Sequence, residues 1–419
     1  MIHSFELSPG VTLQCFPDHR FKQSALSIQF VRPMCREEAA LNALLPAVLL
    51  RGSESCPDLR RITLRLDDLY GASVGALVRR VGDYQTTGLH ASFIEDRYAL
   101  QNDQILAPMV DFIRELLFQP VLENGLFRQD FVESEKRNLI ATIDSQKNDK
   151  RAYAGSQMIK KMCKADSFGI PRLGEKEQVA AITAQSLFDH YRKVLQESPV
   201  HLFYVGSAQP EKIARLLKPL FLRNTQLLSL PPQTPYRDSG KGDYTETLDV
   251  AQGKLCMGFV TDITLRDPDF AVMQVFNALY GAGMTSKLFM QVREKLSLCY
   301  DIGTGYHGSK GIITLSAGID FDQYDRVRQE VMTQLEACRR EEISPEELTA
   351  AKQALIAQLR STHDSPGAIE GYYATAALSG LTMDPTGYMQ AVEAVTAADV
   401  ARVAKTLQLH TVYFLKGVK

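Results

Sequence analysis

The sequence predicts an α+β protein: two homologous domains, each a mainly antiparallel sheet covered by helices, joined by a linker. Three observations predict it. The order of strand-like and helix-like segments in the first half begins again in the second, after roughly 200 residues, the period of a duplicated domain and not of a solenoid. Between the copies, residues 224–241 hold Pro231-Pro232, Pro235 and Ser239-Gly240 with few large apolar residues, which is linker composition. The 419 residues, 45% hydrophobic and 23% charged, are enough for two globular cores of ordinary size. The expected division is 1–223, linker 224–241, and 242–419.

The first copy opens on a strand at Ser27-Ile-Gln-Phe-Val31. A helix follows from about Arg36 to Leu50, with Leu41, Leu44, Leu45, Val48 and Leu49 on one stripe. Pro46 lies inside it. An interior proline costs about 3 kcal/mol and usually kinks or ends a helix, so a disturbance is expected there. A second helix is expected near Leu59–Leu69, then strands around Ala72–Val81 and Tyr84–Phe93. Ile105, Met109, Phe112, Ile113 and Leu116 repeat at helical spacing until Pro120. Phe127–Ile143 reads as a charged helix and Ala152–Lys164 as another. Thr183 suits the N-cap of a helix to Leu195. His201-Leu-Phe-Tyr-Val205 is a strand closed by Gly206.

The second copy follows the same order. Lys254–Val260 matches the first strand and Phe270–Tyr280 the helix that carries Pro46. Cys299–Gly305 and Gly311–Ile319 match the strand pair at 72–93, and Tyr324–Arg340 the helix at 105–118. Ser344-Pro-Glu-Glu347 opens the next helix with an N-cap, a proline at the first helical position and a capping box. Ala391–Asp399 echoes Ala180–Ser186, and Thr411–Leu415 echoes His201–Val205.

Composition narrows the function. A formal net charge of −2 offers no field for nucleic acid or an anionic membrane. The seven cysteines form no C-x-x-C pair, which reads as reduced thiols in a cytoplasmic protein. No signal peptide is expected, because residues 1–10 lack a basic region followed by an apolar core. No apolar run approaches the roughly 20 residues of a membrane span.

The most informative stretch is 277–300. Gly281 and Gly283 bracket Ala282, and such glycines permit positive φ or close backbone approach. Leu288, Phe289, Val292 and Leu296 then recur at helical spacing, ahead of an alternating strand that starts at Tyr300. Gly281-x-Gly283 lacks the further glycines of a dinucleotide loop and the Gly-Lys-Ser/Thr of a P-loop, so it reads as a tight, closely packed turn. No cofactor is expected.

Gly281-Ala-Gly-Met-Thr-Ser-Lys-Leu-Phe289, then Val292-Arg-Glu-Lys-Leu296 and Tyr300, resembles the second-domain signature of the pitrilysin-like (insulinase-type) zinc metallopeptidases. The resemblance covers essentially the whole chain. It implies two homologous α+β domains joined by a linker and closed over a peptide. Catalysis in that family needs H-x-x-E-H on a first-domain helix, with two histidines on one face toward one zinc and a glutamate acting on its water. A glutamate on a later helix completes the site. Aligned on Arg51-Gly52, the motif positions here are Ala43, Pro46 and Ala47, and the distal position falls at Thr142. None can grip zinc as the family does. No two of the eight histidines lie within four positions, so the motif occurs nowhere else.

The resemblance thus implies a non-catalytic homologue without metal. Asp67-Asp-Leu-Tyr-Gly-Ala72, Leu122-Glu-Asn-Gly125 and Asn148–Tyr153 look like a bacterial branch associated with aminopentanol modification of elongation factor P. By the same resemblance, such chains act beside a catalytic paralogue carrying H-x-x-E-H, as a heterodimer; a homodimer or self-associating scaffold is the other arrangement. Arg293 and Tyr300 match residues that hydrogen-bond peptide backbone in catalytic relatives. The alternative is that Arg293 pairs with a nearby carboxylate and Tyr300 packs in the sheet. A peptidase with a metal site assembled from distant residues is the rival expectation.

Overall fold

A computed structural model describes residues 2–222, 227–236 and 241–418; of the expected linker, 224–226 and 237–240 lie outside the described residues. The first half contains strands β1 (His3–Ser8), β2 (Val11–Pro17) and β3 (Gln23–Pro33), helices α1 (Arg36–Leu49) and α2 (Leu59–Asp68), and the hairpin β4 (Ser73–Val81) and β5 (Tyr84–Ile94). After α3 (Leu106–Phe118) come the short pair β6 (Leu122–Glu123) and β7 (Leu126–Phe127), then α4 (Gln129–Ser145) and α5 (Lys150–Met162). Helices α6 (Lys176–Ala181) and α7 (Ala184–Glu197), strand β8 (Val200–Gly206) and α8 (Pro210–Leu217) close this half. The second half runs β9 (Gly242–Leu248), β10 (Gly253–Val260), α9 (Phe270–Tyr280), β11 (Asp301–His307), β12 (Ile312–Ile319) and α10 (Tyr324–Arg339). It ends with α11 (Pro345–Ser361), α12 (Pro366–Ser379), α13 (Pro385–Ala394), α14 (Ala397–Ala404) and β13 (Gln408–Gly417).

Sheet order carries the duplication. The first sheet is β1-β2-β8-β3-β5-β4 and the second β11-β12-β10-β13-β9. Without β1, the two read β2-β8-β3-β5-β4 and β9-β13-β10-β12-β11, element for element. Each contains one parallel pair, β2 with β8 and β13 with β9, and is otherwise antiparallel. The α+β class with repeated sheets is therefore as the sequence predicts. Strands β1, β2 and β9 have no counterpart in the sequence reading.

The compact units differ from the chain-order division in two segments. One unit comprises 1–144, 170–232 and 363–378; the other comprises 145–169, 233–362 and 379–419. Helix α5 thus belongs with the second sheet and most of α12 with the first. Packing explains this. In the first unit Phe16 stacks on Tyr373 at 4.4 Å between ring centroids, and Ile369 and Ala374 join a buried cluster with Phe203 and Val205. In the second, Ala154, Met158 and Met162 of α5 cluster with Cys256, Tyr413 and Leu415. A Cβ on Gly258 would stand 2.5 Å from Met162 Sδ and 2.9 Å from Met158 Sδ, so a larger residue there would displace the methionine ends that α5 lays on the strand. Each sheet has two apolar faces, and one helix from the other half of the chain covers the second face.

The capping signals act as the sequence predicts. Thr183 accepts from Ser186 N, and Ser344 and Glu347 exchange hydrogen bonds in a capping box.

Candidate functional site

Helix α1 carries three of the four positions that the resemblance reads as vacated ligands. The expected disturbance at Pro46 does not occur: the helix continues to Leu49. Pro46 lacks an N–H, so the Asn42 carbonyl four residues earlier loses its helical partner. Thr87 Oγ1 on β5 supplies one, donating to Asn42 O at 2.7 Å within the core. The ring itself packs near Phe30, Leu49 and Tyr191. Proline is thus built into this helix and does not break it.

The Asn42 side chain joins a second buried chain of bonds. Asn42 Nδ2 donates to Gln85 Oε1 at 3.0 Å, and Gln85 Nε2 donates to the carbonyls of Ala39 and Arg172. The Asn42 oxygen must then accept, so His190 Nε2, at 2.8 Å, carries a proton. Burial pushes His190 down to about 4, against the pull of Glu38. It is a neutral core histidine holding α1. Glu38 is held low, at about 2: burial opposes its charge, but Arg32 and Lys193 bond it and win.

The residues do not fit zinc. Ala43, Pro46 and Ala47 bear no donor atom, and the Thr142 hydroxyl on α4 donates to its own helix at Asn138 O, 2.9 Å. Near these positions Arg51 pairs with Glu135 of α4 at 3.1 Å. Among the described residues no group of three or more His, Cys, Asp or Glu side chains is placed to hold a metal ion. The seven cysteines are free thiols, and burial pushes Cys15, Cys256 and Cys338 up to about 12.

The second-half signature departs from expectation in its helix. Residues Phe289–Lys295 form a π-helix, with Leu296 N donating to Gln291 O five residues back and Leu298 N to Val292 O six back. The widened turn keeps Leu288 and Val292 in the core but exposes Leu296, which the apolar stripe had placed inward. Ser297 then takes φ +51 and turns the chain toward Tyr300.

This turn brings Arg293 and Tyr300 together. Arg293 Nε donates to Tyr300 O at 2.8 Å, its Nη1 pairs with Glu294 at 3.0 Å, and the guanidinium lies 4.6 Å from the Phe289 ring centre. Tyr300 is 58% exposed and donates to Asp320 Oδ1 at 3.0 Å. With Glu294, Ser297 and Cys299 these residues line an open cleft of about 390 Å³. The expected carboxylate partner of Arg293 is present as its neighbour, whereas Tyr300 points from the sheet and does not pack in it. Gly281 serves packing: a Cβ would meet the Thr304 side chain at 2.5 Å, and Gly281 O accepts from Thr304 N at 3.1 Å. Gly283 has open space around it and an ordinary backbone, so nothing in its surroundings requires glycine. Sequence reasoning missed Thr87 and Asp320, whose roles depend on strand register and leave no local signal.

Residues 181–355 match the family model described as the peptidase M16 inactive domain. A conserved protein from Enterococcus faecalis V583 of known structure is 30% identical, covering 100% of this chain and 99% of that one, with a TM-score of 0.91. The chain belongs to the M16 peptidase family. The probable inactive metalloprotease YmfF of Bacillus subtilis is 28% identical over 98% of this chain and 96% of its own. An M16 inactive domain from Pseudomonas fluorescens shares the fold at a TM-score of 0.82 and 16% identity, over 100% of this chain and 98% of that one. This M16 chain is a non-catalytic homologue. No helix among the described residues is long and apolar enough to cross a membrane.

Proposed function

We propose that this M16 homologue is a cytoplasmic binding subunit that docks to a catalytic paralogue and holds extended peptide for it. The observation that carries the reading is the cleft at Arg293 and Tyr300. The fixed Arg293 guanidinium keeps N–H groups beyond those given to Tyr300 O and Glu294, which suit backbone carbonyls, and the exposed phenol oxygen, its proton given to Asp320, can accept from a backbone N–H. Exposed Met284 and Met290 in the same stretch supply adaptable apolar contact. Recognition of this kind needs backbone geometry and no metal. By resemblance of the first half to one bacterial branch, the pathway served is modification of elongation factor P. The test is co-purification and sizing with a same-sized paralogue that carries H-x-x-E-H. A one-to-one complex at about micromolar concentration, whose peptide turnover falls with Arg293→Ala, supports the reading. A chain that only self-associates, or a complex indifferent to Arg293, removes it.

A further inference from the structure

An open cavity of about 90 Å³ lies wholly within the second compact unit and shares no lining residue with the Arg293 cleft. Its walls are the loop between β10 and α9, the turn between β11 and β12, residues 233–235 and Ser379 at the end of α12. Main-chain and side-chain bonds fix these walls. Leu265 N donates to Gly308 O at 2.9 Å and ties the loop to the turn. Within the loop, Asp267 Oδ2 accepts from Thr264 N at 2.8 Å and from Thr264 Oγ1 at 2.7 Å. Buried Lys310 donates to Thr234 O at 3.1 Å and holds residues 233–235 beside the turn.

The donors around this space are unspent. The Arg266 guanidinium lines it and makes no hydrogen bond or ion pair among the described residues. Gly380, at φ +81, bends the chain beneath that side chain; a Cβ there would stand 2.7 Å from Arg266 Nε, so the bend that favours glycine also beds the arginine stem. Ser379 is only 3% exposed. Its Oγ accepts from Leu381 N at 3.4 Å, and its proton has no acceptor among the described residues. Nor, among them, have the Ser309 hydroxyl and the N–H groups of Gly308 and Ser309, at the tip of the turn that Lys310 N closes on His307 O at 3.0 Å. No acidic residue lines the cavity, and the nearby Asp267 carboxylate is turned back on Thr264. Donors gathered in this way without a carboxylate favour an anion. A water takes about 10–15 Å³ of such space, so a group of about five heavy atoms fits. The donors come from three separate elements, which suits oxygens pointing in several directions; a planar carboxylate would be satisfied by the guanidinium fork alone.

We infer that this cavity is a binding site for a phosphoryl group, carried by a small phosphate monoester or as free phosphate, with Arg266 as its principal contact and Ser379 and Ser309 as supporting donors. The inference stands apart from the peptide-holding reading. A hydrogen bond to a charged group corresponds to about tenfold to a hundredfold in affinity, and a neutral one to about twofold to tenfold.

The test is calorimetric titration of the full chain with inorganic phosphate, glycerol 3-phosphate and acetate, on wild type, Arg266→Ala, Arg266→Lys and Ser379→Ala. Melting midpoints check that each variant folds, and Arg266→Lys keeps the charge should the alanine variant fail to fold. Wild type should take one phosphoryl ligand per chain at about millimolar concentration. Arg266→Ala should weaken it about tenfold to a hundredfold, with smaller losses in Arg266→Lys and Ser379→Ala. Acetate should bind at least about tenfold more weakly than phosphate. Tighter binding of glycerol 3-phosphate assigns the site to an ester, and tighter or equal binding of inorganic phosphate assigns it to the free ion. No saturable binding of either phosphoryl probe, affinity unchanged in the arginine variants, or acetate bound as tightly as phosphate overturns the assignment.

Discussion

Replacing Thr87 with valine isolates one hydrogen bond while keeping the side-chain shape. The Thr87 hydroxyl is buried and donates to Asn42 O, the carbonyl that Pro46 leaves without its helical partner. With valine the carbonyl stays buried and unpaired, a penalty of about 1–3 kcal/mol. For a unit of this size that lowers the melting midpoint by roughly 2–4 °C per kcal/mol. Pro46→Ala restores an N–H at the right place, so Thr87→Val should cost far less in that background. The double-mutant cycle, followed by circular dichroism melting, should show a coupling of about 1–2 kcal/mol. Hydrogen exchange of α1 amides should report the same loss locally. Additive effects, within about 0.5 kcal/mol, would refute the claim that Thr87 completes the helix around Pro46.

Three further outcomes follow from the same contacts. His190, at about 4 in the folded chain and 6.5 unfolded, is neutral when folded, so its stability contribution is complete above pH 6.5 and is lost as pH falls toward 4. The loss is at most about 3 kcal/mol, and His190→Gln should flatten the melting profile across that window. Lys310 is fully buried and pairs with Asp166 at 3.0 Å; Lys310→Met leaves that carboxylate unpaired and should cost about 3–5 kcal/mol in urea unfolding. Reinstalling the motif as Ala43→His, Pro46→Glu, Ala47→His and Thr142→Glu together should create zinc binding measurable by calorimetry; a folded quadruple variant that takes no zinc would show the alignment of these positions to be misplaced.

Much of the fold is legible in the sequence because its signals are local. The caps at Thr183 and Ser344 and the alternation read in the strand after Tyr300 need no partner for recognition. The duplicated order survives because each copy repeats the same run of periods. Strands β1, β2 and β9 escaped although they alternate, with Val11, Leu13 and Cys15 of β2 turned inward; what local alternation does not give is the pairing, parallel between β2 and β8 and between β9 and β13. The exchange of α5 and α12 escaped for a related reason: an apolar helix face shows that it is buried, not which sheet buries it. At the site, the alanines at 43 and 47 and the proline at 46, where the resemblance puts the motif, are plain from residue identity. The effect of Pro46 is not, because the compensating hydroxyl of Thr87 arrives from another element. The π-turn at Phe289–Lys295 has the same apolar residues as an α-helix, and only the exposed Leu296 and the strained Ser297 betray the extra residue per turn.

Metal content of the purified full chain, measured alongside cleavage of an unfolded peptide, tests most directly whether this scaffold recognises without cutting. Protein loaded with excess zinc and then desalted should retain no stoichiometric metal and leave the peptide intact. One tightly held zinc per chain, with cleavage that a chelator abolishes, would contradict it.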